Sequence, residues 1–152
     1  MRIESTTYYR YAQDVIDGKI VACRHIIQAC KRFMSDLQRD DMHFDAQKVV
    51  RAVSFISKLR HFTGSASGKA FILEPWQTFI VANILGFYWN DGRRRFTSSY
   101  ICVARKNGKT SLSAALSIYF LVADGEPGAE VLLCANSKEQ ARIAFSMCRN
   151  YI

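Results

Sequence analysis

The sequence contains no cluster of cysteine or histidine residues with the spacing of a metal site. Its five cysteines are odd in number and widely separated, and none belongs to a C-x-x-C pair. Cysteine in an apolar run behaves as a small hydrophobe, and this pattern favours reduced thiols in a cytoplasm over a disulfide framework. The three histidines, His25, His43 and His61, are equally scattered, so we expect no zinc chemistry.

Long hydrophobic runs are missing as well. The apolar segments fall well short of the ~20 residues that span a bilayer, and the N-terminal stretch MRIESTTYYRYAQDV is polar. We therefore expect no membrane segment and no signal peptide, and a soluble, intracellular protein. No internal repeat, low-complexity tract or clear linker divides the chain.

What the chain does have is an excess of positive charge on an ordinary globular composition. Its 152 residues include 21 Lys and Arg against 13 Asp and Glu, a net charge of +8, in about one domain's length. The charge favours an anionic partner, with nucleic acid the obvious candidate, although a merely basic soluble protein fits equally well. The candidate nucleic-acid contacts are Arg93, Arg94 and Arg95, which follow an Asn-Asp-Gly turn; the alternative is a solvated turn.

The first part of the chain is predicted to be mainly helical. Apolar residues recur every three or four positions from residue 8 to 39, which predicts one or two helices with a bend or boundary near Gly18. Asp45 is the predicted N-cap of a further helix that ends near residue 60. We therefore divide the chain into a helical region, residues 1–60, and a second region, residues 61–152.

The second region begins with a glycine-rich loop and a helix, and then alternates between strand and helix. Pro75 suits the first turn of a helix that extends to about Tyr88. Residues 99–103 and 130–135 are predicted strands, Lys109 to about Ala123 is a predicted helix, and Ser137 is predicted to cap a final helix. Strand, helix and strand over about 36 residues form a βαβ unit with a parallel sheet. The predicted fold class is α/β, a partial parallel sheet of the P-loop NTPase type preceded by the helical region.

The stretch ARKNGKT between the first predicted strand and its helix ends like a P-loop. Such a loop turns backbone N–H groups and a helix N-terminus toward phosphates. Gly108 allows a close approach, Lys109 is placed to reach the β- and γ-phosphate oxygens, and Thr110 supplies the hydroxyl expected on Mg²⁺. The alternative is a helix start with a chance Gly-Lys-Thr.

This loop departs from the usual P-loop in two respects. Val103 and Ala104 stand where a glycine normally opens the turn, and Arg105 and Lys106 add two cations inside it. An arginine in this place can stabilise charge on the transferring γ-phosphoryl group; the alternative is a solvated side chain.

A second glycine-lysine run, formed by Gly64, Gly68 and Lys69, mimics a P-loop. Its spacer is one residue short, and Ala70 replaces the Ser or Thr that would hold magnesium. No apolar strand leads into it either, so we interpret residues 61–71 as a loop without a phosphate site.

The run YICVARKNGKTSLSAAL, followed by DGEPGAEVLLCANSKEQARIAF, resembles the large terminase subunit of tailed bacteriophages and prophages. These proteins are the ATP-driven motors that package DNA into capsids. The likeness extends upstream to FILEPWQTFIVANILGFY and YAQDVIDGKIVACRHIIQACKRFMSDL, so it covers nearly the whole chain. It implies ATP and Mg²⁺ as cofactors, and double-stranded DNA, the portal and the small terminase subunit as partners. It also implies the cytoplasm of an infected or lysogenic bacterium as the location.

The resemblance implies roles at matching positions. Terminases carry a deviant Walker A loop that lacks the early glycine and contains a basic residue, which matches Arg105 here. In the family this residue is proposed to act in cis as a catalytic arginine or as a γ-phosphate sensor. Lys109 and Thr110 match the Walker A lysine and the magnesium-site hydroxyl. Gln77 matches the family's adenine-recognising glutamine. The role is chemically suitable because a side-chain amide can both donate to and accept from the adenine edge; the alternative is a surface helix residue.

The family's Walker B strand, four apolar residues ending in Asp-Glu, is not found up to Ile152, and neither are its coupling motif and its nuclease domain with an acidic two-metal cluster. The chain thus resembles the first part of a terminase ATPase domain, and we expect no meaningful ATP turnover from it alone. A sheet of few strands leaves an apolar edge and face, so we also expect association with itself or with a partner.

Two alternatives remain at this stage. The first is a non-catalytic truncated prophage protein that acts as a nucleic-acid or terminase-partner binding module. The second, another P-loop ATPase such as a helicase, is disfavoured because helicase Walker A loops usually keep the first glycine.

Overall fold

The computed structural model describes residues 3–62 and 67–151 and contains both helices and strands. The elements are a 3₁₀ turn at Ile3–Ser5, α1 (Thr7–Ile16), α2 (Arg24–Asp36), β1 (Met42–Phe44), α3 (Ala46–Lys58), α4 (Pro75–Gly86), β2 (Phe87–Trp89), α5 (Lys109–Val122) and α6 (Lys138–Tyr151). They form two compact units. The first comprises the chain up to Arg51 together with Leu73–Ser99, and the second comprises Ala52–Ile72 and the chain from Tyr100 onwards.

Aromatic side chains build the core of the first unit, in which α1 packs against α2 and α4. Phe33 of α2 is fully buried. Four rings lie around it with centroids 5.4–6.1 Å away, mostly edge-on, the geometry that aromatic quadrupoles favour; they belong to Tyr8, Phe44, Phe79 and Phe87. The apolar periodicity of the first helices is therefore explained by burial against one aromatic cluster.

A two-stranded antiparallel sheet joins β1 and β2, with Phe44 opposite Phe87. The chain passes directly from α4 into β2 at Gly86, and a Cβ atom there would overlap the Phe44 ring. Next to it, the Asp45 N–H donates to the Gly86 carbonyl oxygen at 2.7 Å. Glycine is thus required at the end of α4 by the close approach of β1.

The predicted N-terminal helices are confirmed. Gly18, with φ of +75°, lies just after α1 and marks the predicted boundary. The Asp45 carboxylate accepts from the N–H groups of Gln47 and Lys48 at 2.9 and 3.1 Å, as expected of an N-cap. The helix that begins at Pro75 ends earlier than predicted, because the residues after Gly86 pair with β1.

The second unit is organised by α5 and α6, which pack against each other. A buried cluster of Ala114, Ile118 and Cys148 lies between them, and the partly buried hydrophobic residues packed on it are Phe55, Leu133, Met147 and Tyr151. The predicted bounds of α5 are confirmed, and so is the predicted start of α6 at the cap Ser137, whose hydroxyl accepts from the Gln140 N–H at 3.3 Å.

The predicted parallel sheet is absent from the described residues. The segments 99–103 and 130–135 belong to no strand, and the only sheet in the described ranges is the antiparallel pair of β1 and β2. Parallel strands are stable in sheets that are covered on both faces. Here Tyr100 and Leu132 remain 93% and 84% exposed, so the burial that would stabilise a parallel pair is missing.

All five cysteines are free thiols, as predicted. Cys23, Cys102 and Cys134 are exposed, whereas Cys30 and Cys148 are buried. Burial raises the pKa of Cys30 to about 11 and also raises the pKa of Cys148. Within the described ranges no helix is long and apolar enough to cross a bilayer, and no group of three or more side chains of the His, Cys, Asp and Glu type is placed to hold a metal ion.

Thiol reactivity should follow this division. Because the thiolate is the reacting species, we expect Ellman's reagent at pH 8 to modify the three exposed cysteines rapidly and the two buried ones slowly. All five should react at once in guanidinium. Rapid modification of five thiols in the native protein would contradict the burial of Cys30 and Cys148.

Candidate nucleotide-binding site

The loop before α5 presents an open helix N-terminus to solvent. Helix α5 begins at Lys109, as predicted, and its N-cap is Gly108 in the left-handed region, with φ 72° and ψ 12°. The first backbone N–H groups of a helix have no intrahelical acceptor, and a glycine N-cap offers no side chain to satisfy them. Gly108 and Lys109 are both exposed. The positive end of the helix dipole is therefore accessible to an anion.

Asn107 holds the loop in a closed turn. Its Nδ2 donates to the carbonyl oxygens of Ala104 and Arg105 at 3.3 and 3.4 Å. These contacts tie the second half of the loop to the first half. The carbonyl groups, which would repel a phosphate, are thereby engaged by an amide donor.

The Lys109 ammonium reaches back across the whole loop. Its Nζ donates to the Val103 carbonyl oxygen at 3.3 Å, joining the end of the loop to its entry. A phosphate oxygen is a stronger acceptor for an ammonium than a neutral carbonyl, because the hydrogen bond is then assisted by charge on both partners. Arg105 and Lys106 in the same loop are exposed as well, so the segment that leads into the open helix end carries three solvent-accessible cations.

Thr110 lies in the first turn of α5 and is partly buried. No cluster of acidic side chains accompanies it in the described part of the chain. Magnesium bound here would take the Thr110 hydroxyl from the protein and its other oxygen ligands from phosphates and water, an arrangement typical of Mg²⁺.

Lys106 is the one non-glycine residue with positive φ in the described ranges, at 68°. A left-handed conformation costs an L-residue roughly 1–2 kcal/mol, and a β-branched side chain suffers most. We expect Lys106→Val to lower the free energy of unfolding by roughly 0.5–1.5 kcal/mol, because Lys106 already bears the general cost of a left-handed residue and valine adds the strain of a branched side chain forced from its preferred rotamer. Lys106→Gly should cost less than about 0.5 kcal/mol, because relief of strain offsets the added entropy of the unfolded chain.

Urea denaturation of both variants tests this expectation. Lys58→Val, at an exposed position in α3, controls for the loss of a lysine and the gain of a β-branched residue. Equal stability of Lys106→Val and Lys106→Gly would show that the backbone at this position is not constrained.

Gln77 lies in the first unit, at the third position of α4. It is only 4% exposed, and its Oε1 accepts from the Glu74 N–H at 2.9 Å. This is one half of a capping box, in which the N3 side chain satisfies the N-cap backbone. The sequence analysis missed this role, although the Glu74-Pro75 start three residues before a glutamine is a recognisable signal for it.

The arginine triplet is engaged within the first unit. Arg93 pairs with Asp91 at 2.7 Å on the surface, and Arg94 forms an isolated backbone bridge with Tyr88. Arg95 is ion-paired with the buried carboxylate of Asp36, and its side chain is only 13% exposed. Its guanidinium also lies over the Phe96 ring, 4.7 Å from the centroid. The structure therefore gives Arg95 a packing role that charge counting did not predict.

The predicted site residues thus fall into two groups. Arg105, Gly108, Lys109 and Thr110 come together in one loop of the second unit, whereas Gln77 and the three arginines belong to the first unit.

Comparison with known proteins gives one family. The family model described as terminase large subunit, ATPase domain, matches residues 75–152. The matched stretch contains α4, β2, the loop before α5, and the helices α5 and α6. The comparisons with curated proteins and with solved structures give no match.

Proposed function

Because the chain belongs to the terminase large subunit family, in its ATPase domain, we propose that it binds Mg-ATP through the loop Val103–Thr110 as part of a DNA-packaging motor. In this proposal the loop is a deviant Walker A motif. The N–H groups at the start of α5 and the Lys109 ammonium hold the β- and γ-phosphates, and the Thr110 hydroxyl joins the magnesium shell.

The finer assignments follow the same chemistry. Arg105, exposed in the loop, stabilises charge on the γ-phosphoryl group, a contribution worth roughly 10³–10⁵ in rate where an arginine finger has been removed. Gln77 recognises adenine. To do so, its side-chain amide gives up the hydrogen bond from the Glu74 N–H and forms hydrogen bonds with the edge of the base. Residues 99–103 and 130–135 belong to no strand here; we propose that they become strands of a P-loop parallel sheet when neighbouring strands pair with them and cover them.

The proposed activity of the chain by itself is nucleotide binding without turnover. Within its 152 residues no apolar strand ends in an Asp-Glu pair, and such carboxylates hold magnesium and orient the attacking water in P-loop ATPases. In the complete motor the partners are double-stranded DNA, the portal and the small terminase subunit, in the cytoplasm of an infected or lysogenic bacterium.

The observation that carries the proposal is the exposed loop in which Gly108 opens α5 and Lys109 spans back to Val103. Calorimetric titration with ATP, with magnesium and with EDTA, tests it. We expect tighter binding with magnesium, and we expect Thr110→Ser but not Thr110→Ala to keep that advantage. No binding in either buffer would reject the proposal and favour the non-catalytic binding module.

A further inference from the structure

Helix α6 carries a stripe of three cations and one phenylalanine on its surface. Lys138, Arg142, Phe145 and Arg149 are spaced by four, three and four residues. At 100° per residue this spacing places them within about 60° of arc around the helix. All four are exposed, and Phe145 is 61% exposed. We call these four residues the α6 stripe.

The α6 stripe lies outside the buried cluster of the second unit. The buried cluster between α5 and α6 uses Cys148 from α6, with Met147 and Tyr151 packed against it. On the helical wheel these residues lie on a different side of α6 from the stripe. The stripe side chains are therefore available to a partner without any change in the fold.

The cations of the α6 stripe are not neutralised by the protein. In the described part of the chain Lys138, Arg142 and Arg149 form no ion pair, whereas Arg93 and Arg95 of the first unit each pair with an aspartate. The only carboxylate of α6, Glu139, instead accepts hydrogen bonds from its own backbone N–H and from the Ser137 hydroxyl, which lower the pKa of Glu139.

The second unit as a whole also carries an excess of positive charge. It contains nine Lys and Arg against four Asp and Glu. An unpaired row of cations on a unit with this excess complements a linear polyanion.

We propose that the α6 stripe contacts the phosphate backbone of DNA. From Lys138 to Arg149 the helix rises about 16 Å, which matches roughly five nucleotides along one strand of B-form DNA. The three cations neutralise phosphates, and Phe145 packs on the sugars between them. The choice of duplex DNA rests on the proposed packaging function, but the contact is separate from the nucleotide loop.

Fluorescence anisotropy with a labelled random-sequence duplex tests the proposal. We compare the wild type with the triple variant Lys138→Ala/Arg142→Ala/Arg149→Ala over a series of salt concentrations. Each phosphate contact contributes about 0.9 to the slope of log K against log salt. The triple variant should bind at least roughly tenfold more weakly, with a slope shallower by about 2–3.

A matched variant removes the same charge elsewhere. Arg10→Ala/Arg24→Ala/Lys31→Ala lies on exposed positions of the first unit and should bind DNA within about threefold of the wild type. Equal losses of DNA affinity in the two triple variants would show that the effect depends only on net charge, which would overturn the proposal. Unchanged binding by the α6 variant, or no DNA binding by the wild type at low salt, would overturn it as well.

Mg-ATP titration of the α6 variant separates this proposal from the nucleotide site. We expect its affinity for Mg-ATP to equal that of the wild type, which also shows that the variant is folded. Loss of DNA binding with intact nucleotide binding supports the α6 stripe. Loss of both would show a folding defect, and Phe145→Ser, which keeps all three cations, then decides: weaker DNA binding with unchanged Mg-ATP binding supports the α6 stripe, whereas DNA binding equal to the wild type overturns the proposal.

Discussion

Replacement of Lys109 by alanine is expected to weaken Mg-ATP binding by about 100-fold or more. Among the described residues, the Lys109 ammonium is the one side-chain cation that bonds across the loop before α5, to the Val103 carbonyl at 3.3 Å. A phosphate bound at this helix end would replace that carbonyl as the acceptor. Hydrogen bonds between charged groups contribute roughly 1.5–3 kcal/mol each, and the lysine reaches more than one phosphate oxygen. Isothermal calorimetry or a fluorescent ATP analogue measures the effect.

The matched control is Lys69→Ala. Lys69 also follows a glycine with positive φ, Gly68 at +80°, but no helix begins there. We expect Lys69→Ala to bind Mg-ATP as the wild type does. Equal affinity of the wild type and Lys109→Ala would place the nucleotide at another site, whichever way Lys69→Ala behaves.

Replacement of Asp36 by alanine should give the largest loss of stability, about 3–5 kcal/mol. Asp36 is 4% exposed and its carboxylate pairs with Arg95, which is itself largely buried. Two further guanidinium groups, those of Arg32 and Arg39, lie 3.9 Å from the same carboxylate. Without Asp36 the buried Arg95 charge has lost its partner, and Arg32 loses a nearby carboxylate as well, whereas Arg39 keeps its pair with Asp41. Urea denaturation followed by circular dichroism measures the change.

Two further variants separate pairing from packing. The double replacement Asp36→Leu/Arg95→Met removes both charges and should recover much of the lost stability, because a buried pair replaced by apolar side chains often costs little. Asp91→Ala breaks the exposed pair with Arg93 and should leave the urea midpoint nearly unchanged. If Asp36→Ala were no less stable than Asp91→Ala, the Asp36 pair would have no structural role.

The helices, including the start of α5 after Gly108, followed from the sequence because their signals are local. Asp45 caps α3 through its own neighbours, and α5 begins at Lys109 because Gly108 stops the chain from continuing the preceding turn. Periodicity, caps and glycine positions are properties of a few consecutive residues, so they can be read without knowledge of the fold.

The features that the sequence did not reveal depend on contacts between distant residues. The pairing of Phe44 with Phe87 joins segments more than forty residues apart, and neither three-residue strand has a recognisable alternation. The sequence grouped Arg95 with two neighbouring arginines as a surface cation, whereas its side chain is largely buried in an ion pair with Asp36. The parallel strands were predicted from β-forming residues alone, whereas a parallel ladder depends on neighbouring strands and on cover from both faces.

Backbone amide chemical shifts recorded during a titration with Mg-ATP test the central claim most directly. A phosphate held by the loop must perturb the N–H groups that face it. We predict the largest shifts at residues 105–111, with saturation at the calorimetric affinity, and their loss in Lys109→Ala. Saturable shifts confined to other parts of the chain, with residues 105–111 unmoved, would contradict the assignment of this loop as the nucleotide-binding site.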